Sequence, residues 1–141
     1  MNMVIPDEGK ELWLYWALGS DGTDLEDFVV DLFKNDYVPD DDSTAADFTV
    51  ATFTGYAQQP IDRSDFGAVA IVAHVAEIYS TPFPTFTQTA GGVQLIYGWY
   101  MRGATSGVVL ATQRFDVPRQ MGTGSTINVD PFKFKLKTFT G

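Results

Sequence analysis

The chain contains no cysteine among its 141 residues, which excludes disulfides, thiolate nucleophiles and cysteine-based zinc sites. It has a single histidine, His74, so neither a histidine-based triad nor a multi-histidine metal site can be assembled within one copy. Basic residues are few: nine Lys and Arg stand against 18 Asp and Glu, a formal net charge of −9. Nucleic acid binding needs a basic patch that displaces counterions from phosphates. No lysine or arginine cluster backed by stacking aromatics occurs, so DNA and RNA are not expected partners. No apolar run approaches the roughly 20 residues that span a bilayer. The opening Met1-Asn-Met-Val-Ile-Pro-Asp-Glu8 also lacks the basic start and apolar stretch of an export signal. A soluble, unexported chain without a membrane partner is the expectation.

What the chain does hold is a core. Hydrophobic residues make up 45% and aromatics 14%, with 11 Phe, 6 Tyr and 3 Trp, far too many for a disordered segment. This length suits one domain. Its charge is uneven: residues 1–65 carry 15 acids against Lys10, Lys34 and Arg63, net −12, whereas residues 66–141 carry 3 acids against 6 bases, net +3. Solubilising charge explains such a split, and so does an acidic pole that meets a basic one in head-to-tail contacts between copies or on a larger assembly.

Leu12, Trp13, Trp16 and Ala17 recur at helical spacing, with Leu14 and Tyr15 broadening the stripe, and predict a helix over residues 7–18. Asp7 and Glu8 favour its positive end, and Gly19 with the following Ser-Asp-Gly22 stops it. So short a helix is marginal alone in water, so Trp13 and Trp16 must pack on the domain's own sheet or on a partner. Residues 28–33 alternate as a strand, residues 34–43 read as an exposed acidic loop, and residues 44–51 offer a helical turn before a short strand at 52–57 that ends before Pro60. Residues 67–79 are rich in β-branched side chains and favour a strand or hairpin over a helix. Strands follow at 85–89, 93–102 and 108–115, the last two joined by the turn Gly103-Ala-Thr-Ser-Gly107, then at 126–130 and 131–139. In the final strand Lys133, Lys135 and Lys137 alternate with Phe132, Phe134 and Leu136, the pattern of an edge or solvent-facing strand. The expected fold is mainly β: a single-domain β-sandwich, jelly-roll or immunoglobulin-like, over residues 20–141, with one N-terminal helix in residues 1–19 as a possible anchor.

Chemistry-bearing patterns are sparse. Gly103-Ala-Thr-Ser-Gly107 lacks the serine position and strand-to-helix setting of a nucleophile elbow, and Gly122-Thr-Gly-Ser125 lacks the lysine and helix of a phosphate loop, so both read as turns. His74, in an alternating apolar run, reads as structural. The acids Asp36, Asp40, Asp41, Asp42 and Asp47 offer calcium-type ligands without the spacing of a calcium loop. Asp31, Glu77 and Asp116 are the acids embedded in apolar sequence that a hydrolase would have to use as a pair. Trp13, Trp16, Tyr97, Trp99 and Tyr100 suit either a core or an aromatic surface for protein or sugar. No cofactor is implied and no catalytic or metal-binding residue is assigned.

Five segments, Ile5-Pro-Asp-Glu-Gly9, Val30-Asp-Leu-Phe-Lys-Asn-Asp36, Asp47-Phe-Thr-Val-Ala-Thr-Phe-Thr-Gly-Tyr-Ala57, Ile96-Tyr-Gly-Trp-Tyr100 and Gln113-Arg-Phe-Asp-Val-Pro118, give the chain an overall pattern that resembles small structural proteins of tailed bacteriophages. The resemblance implies a non-enzymatic virion protein with a compact β domain. The role it suggests is a capsid cement, or decoration, protein made in the host cytoplasm and seated on the capsid surface. Its partners would be the major capsid protein or other virion proteins and further copies of itself, as a trimer. A tail, baseplate or fibre component and a receptor- or glycan-binding β-sandwich module are the alternatives. Trp13, Trp16, Asp36, Asp40, Asp41 and Asp42 are the candidate interface residues.

Overall fold

The computed structural model describes residues 3–18, 25–73, 75–79, 84–129 and 133–136. The helix α1 spans Asp7–Leu18, as the spacing of its apolar residues predicts. Leu12, Trp13 and Trp16 lie against the main core, but Ala17 of the expected stripe is exposed, as are Leu14 and Tyr15, so the buried face is narrower than the sequence suggests. Two 3-10 turns, at Ala45–Asp47 and Arg63–Asp65, are the other helical pieces among the described residues.

Among the described residues nine strands follow: β1 (Phe28–Phe33), β2 (Gln59–Ile61), β3 (Ala70–Val72), β4 (Val75–Tyr79), β5 (Thr85–Thr87), β6 (Gln94–Gly103), β7 (Val109–Met121), β8 (Thr126–Asn128) and β9 (Lys133–Leu136). They form three antiparallel sheets, ordered β2-β1-β6-β7, β3-β4-β9 and β5-β8. The chain is thus mainly β with one N-terminal helix, a single-domain fold of the β-sandwich type.

Strand β1 organises the core because all six of its residues are buried. Val30 and Leu32 pair with Met101 and Trp99 on β6 and join the larger apolar cluster, to which Phe86 of β5 and Ile127 of β8 also belong. On the opposite face Phe33 joins Phe48, Tyr100 and Val109 in a second cluster. Phe33 lies against Gly98, where a Cβ would overlap the Gln113 carbonyl oxygen and come within 2.7 Å of the Phe33 ring, so that position takes glycine.

Three expectations change. Residues 52–57 make no strand: single bridges at Phe33–Val50 and Thr54–Ala90 replace a ladder, because Gly55 turns the chain at φ +90° and Tyr56 N–H bonds back to the Phe53 carbonyl. Pro60 does not end a strand but sits within β2, opposite Val29, on an edge where its missing N–H leaves no ladder bond unmade. Strand β7 runs beyond residue 115 to Met121, through a bulge in which residues 115–118 lie opposite Tyr97 alone, between the pairs Gly98–Arg114 and Ile96–Arg119. Ala70–Val72 and Val75–Tyr79 form the antiparallel β3–β4 pair, with Ala73 at φ 47° following β3. β9 takes the outer position beside β4, in keeping with its lysines. His74, the stop at residues 19–22, Phe132 and Lys137 lie outside the described residues.

Candidate interaction surfaces

The N-terminal segment is built into the main sheet. Val4 exchanges backbone hydrogen bonds with Thr112 (2.8 and 2.9 Å), Glu8 Oε1 accepts from Val109 N–H (2.8 Å), and Trp13 Nε1 donates to the Leu110 carbonyl (3.3 Å). Trp13 and Trp16 meet edge to face at 5.3 Å and both lie on Phe28, at 5.8 and 5.9 Å. Both predicted tryptophans therefore turn to the domain's own sheet. The buried Trp16 Nε1 finds no hydrogen-bond partner among the described residues. What α1 offers outward is Leu14, 62% exposed, with Tyr15 and Glu11 beside it.

The acidic loop is ordered from within. Asp40 Oδ1 accepts from Asp42 N–H and the Ser43 hydroxyl, while Ser43 Oγ accepts from Asp40 N–H and lies 2.8 Å from the Tyr37 hydroxyl. Asp47 accepts from Thr44 N–H and its hydroxyl. Asp36 pairs with Arg114, whose guanidinium also donates to the Tyr37 carbonyl and lies over the Tyr97 ring. Asp41 pairs with Lys10, which also holds Asp7; the hydrogen bonds to Asp41 and then Asp7 raise the Lys10 pKa. The loop thus joins the helix at its first turn, where Asp7 N–H also bonds the Asp41 carbonyl. All four aspartates are exposed, with Asp36 and Asp41 partly neutralised by their basic partners. The six predicted interface residues do not form one surface: the tryptophans face inward and the aspartates line the loop. Among the described residues no three Asp, Glu, His or Cys side chains converge as metal ligands.

Of the carboxylates set in apolar sequence, Asp31 is 3% exposed and held by the Tyr56 hydroxyl at 2.6 Å and Arg102 Nε at 3.3 Å. Arg102 also donates to Gln58 Oε1, and the Tyr56 oxygen accepts from Leu32 N–H. Burial, with Asp31 next to it, pushes the Tyr56 phenol well above the ordinary range; burial and then Asp31 push Tyr100 up to about 12. This cluster fixes residues 56–58 to the sheet. Glu77 lies on β4 in another sheet and Asp116 is exposed on the β7 bulge, so the structure does not bring the three together. Trp99 and Tyr100 are buried, which leaves Tyr97 alone of that trio toward the surface.

Sequence reasoning missed the most exposed apolar element. Every residue from 67 to 73 is exposed, and Val69, Ile71 and Val72 stand 62%, 71% and 53% open to solvent. The signal was present, since residues 66–76 contain no Asp, Glu, Lys or Arg, but it reads locally as a core strand. Val117 on the β7 bulge is 74% exposed beside an open depression of about 460 Å³ lined by residues 113–119. There Arg119 lies 4.5 Å over the Phe115 ring. No helix among the described residues is long and apolar enough to cross a membrane. No protein-family model matches the chain, and no curated protein matches it.

Proposed function

We propose that this chain is a non-enzymatic structural protein of a virion, a cement or decoration protein that sits on the capsid surface and bridges major capsid protein subunits. One observation carries the reading. The core closes with its own residues, yet Leu14, Val69, Ile71, Val72, Val93 and Val117 stand outside it, more than half exposed. Apolar surface left out of a completed core marks contact with other proteins. The segments that resemble tailed-phage structural proteins direct that contact to a virion. A non-enzymatic role is supported by the use of Asp31, Tyr56 and Arg102 to tie residues 56–58 to β1, a structural task. A cement protein must hold a shell against internal pressure, and many moderate contacts summed over symmetric copies suit that better than one tight site.

The test is cryo-EM of particles purified from the system that encodes the chain. Density for this fold is expected on the outer shell between capsid subunits. Density confined to the tail reassigns the role to a tail or baseplate part, and particles that lack the chain overturn the virion reading.

A further inference from the structure

We propose that β3 is a self-association edge: two copies pair their β3 strands antiparallel across a two-fold axis, joining two three-stranded sheets into one of six strands. An edge strand presents unpaired N–H and C=O groups, and proteins blunt such edges with proline, with charge or with a covering segment. The other edges of the two larger sheets carry these devices. β2 contains Pro60, β7 is covered by Val4 and α1, and β9 carries Lys133 and Lys135. Among the described residues β3 carries none of them. It is the outer strand beside β4, its neighbours 67–73 are all exposed, and that stretch holds neither proline nor a charged residue.

Charge identifies the occupant as a second copy. The chain bears a net charge of −9, so copies repel wherever acidic surfaces meet. An antiparallel β3 pair centred on Ile71 sets Ala70 against Val72, and Val69 against Ala73, with no like charges opposed. The nearest Asp, Glu, Lys or Arg in sequence are Asp65 and Glu77, and Glu77 is buried. A strand rich in acids or bases would find no counter-charge along this edge, whereas a copy of the same strand matches it. The pairing also closes on itself: among the described residues the joined sheet ends on β9 at both sides, and a two-fold pair leaves no second β3 edge to extend. So short an edge buries less than the roughly 1,600 Å² of a standard interface, so the free pair is weak, with a Kd on the order of 10–100 µM. Repetition on a lattice strengthens it. The trimer implied by the phage resemblance is not what this edge makes; it makes pairs.

This inference rests on the assembly reading in that both draw on the exposed apolar strand, but its test needs no particle. Sedimentation equilibrium of the full chain from about 5 to 500 µM, a range bracketing that affinity, is expected to show a monomer–dimer equilibrium. Ile71→Lys is expected to weaken it at least tenfold without moving the thermal unfolding midpoint, because Ile71 is outside the core. Val93→Lys, an exposed apolar position outside β3, is expected to leave it unchanged. A wild-type chain that stays monomeric over this range, an Ile71→Lys chain that pairs as well as wild type, or an equal loss in Val93→Lys overturns the proposal. A monomeric chain that is nonetheless found in particles removes the β3 pairing and leaves the virion reading standing. A chain that pairs through β3 but is missing from particles does the reverse.

Discussion

The Tyr56 hydroxyl ties the buried Asp31 to the backbone of β1, since it donates to Asp31 and accepts from Leu32 N–H. Tyr56→Phe leaves Asp31 with Arg102 but without its short hydrogen bond, and is expected to destabilise the fold by about 1–3 kcal/mol, measured by chemical denaturation at pH 7. The phenols also set an alkaline limit. Tyr56 and Tyr100 hold their protons more tightly folded than unfolded, where tyrosine ionises near pH 10. Their contribution is therefore complete below about pH 10. Above that it falls by up to about 1.4 kcal/mol per pH unit for each tyrosine, until Tyr100 ionises in the fold at about 12. Thermal unfolding followed from pH 8 to 11 is expected to steepen above pH 10 and to steepen less in Tyr56→Phe; equal slopes would remove Tyr56 from the account. The sequence marks Asp31 as unusual, an acid in an alternating apolar strand. Its partners lie 25 and 71 residues away, and no local pattern points to Tyr56 or Arg102.

At the scale of elements, α1 and β1 are readable to the residue because their signals are local: a periodic stripe after Pro6 and a six-residue β-rich run. What fails to show is set by neighbours. Leu14 and Tyr15 lie outside the buried stripe because β7 covers only one side of the helix, and Pro60 is tolerated because β2 is an edge. Gly9 shows how tight that helix–sheet contact is. A Cβ there would overlap the Val109 carbonyl oxygen and come within 3.0 Å of Leu110 Cα. Gly9→Ala gains about 1 kcal/mol of helix propensity, but must lift α1 off β7, loosening Trp13 from Leu110 and the Glu8 bond to Val109. A net loss of about 2 kcal/mol is expected, with red-shifted tryptophan emission; a variant more stable than wild type would show that α1 is loosely seated. Removing residues 1–19 strips the same contacts and bares Phe28 and Leu110, so a truncated chain is expected to unfold at lower denaturant. Substituting the outward Leu14 is therefore the cleaner probe of docking through the helix.

For the whole molecule, two physical pictures of assembly make opposite predictions, and the sequence alone could not choose between them. The net −12 and +3 halves suggest head-to-tail attraction, which salt weakens as the Debye length shrinks from about 30 Å at 10 mM to about 8 Å at 150 mM. The folded chain softens that polarity, because Arg114 from the basic half ends on the acidic loop at Asp36. What remains is a body of net charge −9 with a charge-free edge at β3, and two such bodies pair better there when their mutual repulsion is screened. Self-association through β3 is therefore expected to tighten as salt rises over that range, by a factor of a few at fixed temperature. The edge status of β3 belongs to the sheet order, which is why a run of Ala, Val and Ile that reads as core in one dimension becomes surface in three. Sedimentation at the two salt concentrations decides the matter: association that loosens with salt assigns the contact to opposed charges, and association that tightens assigns it to the apolar edge.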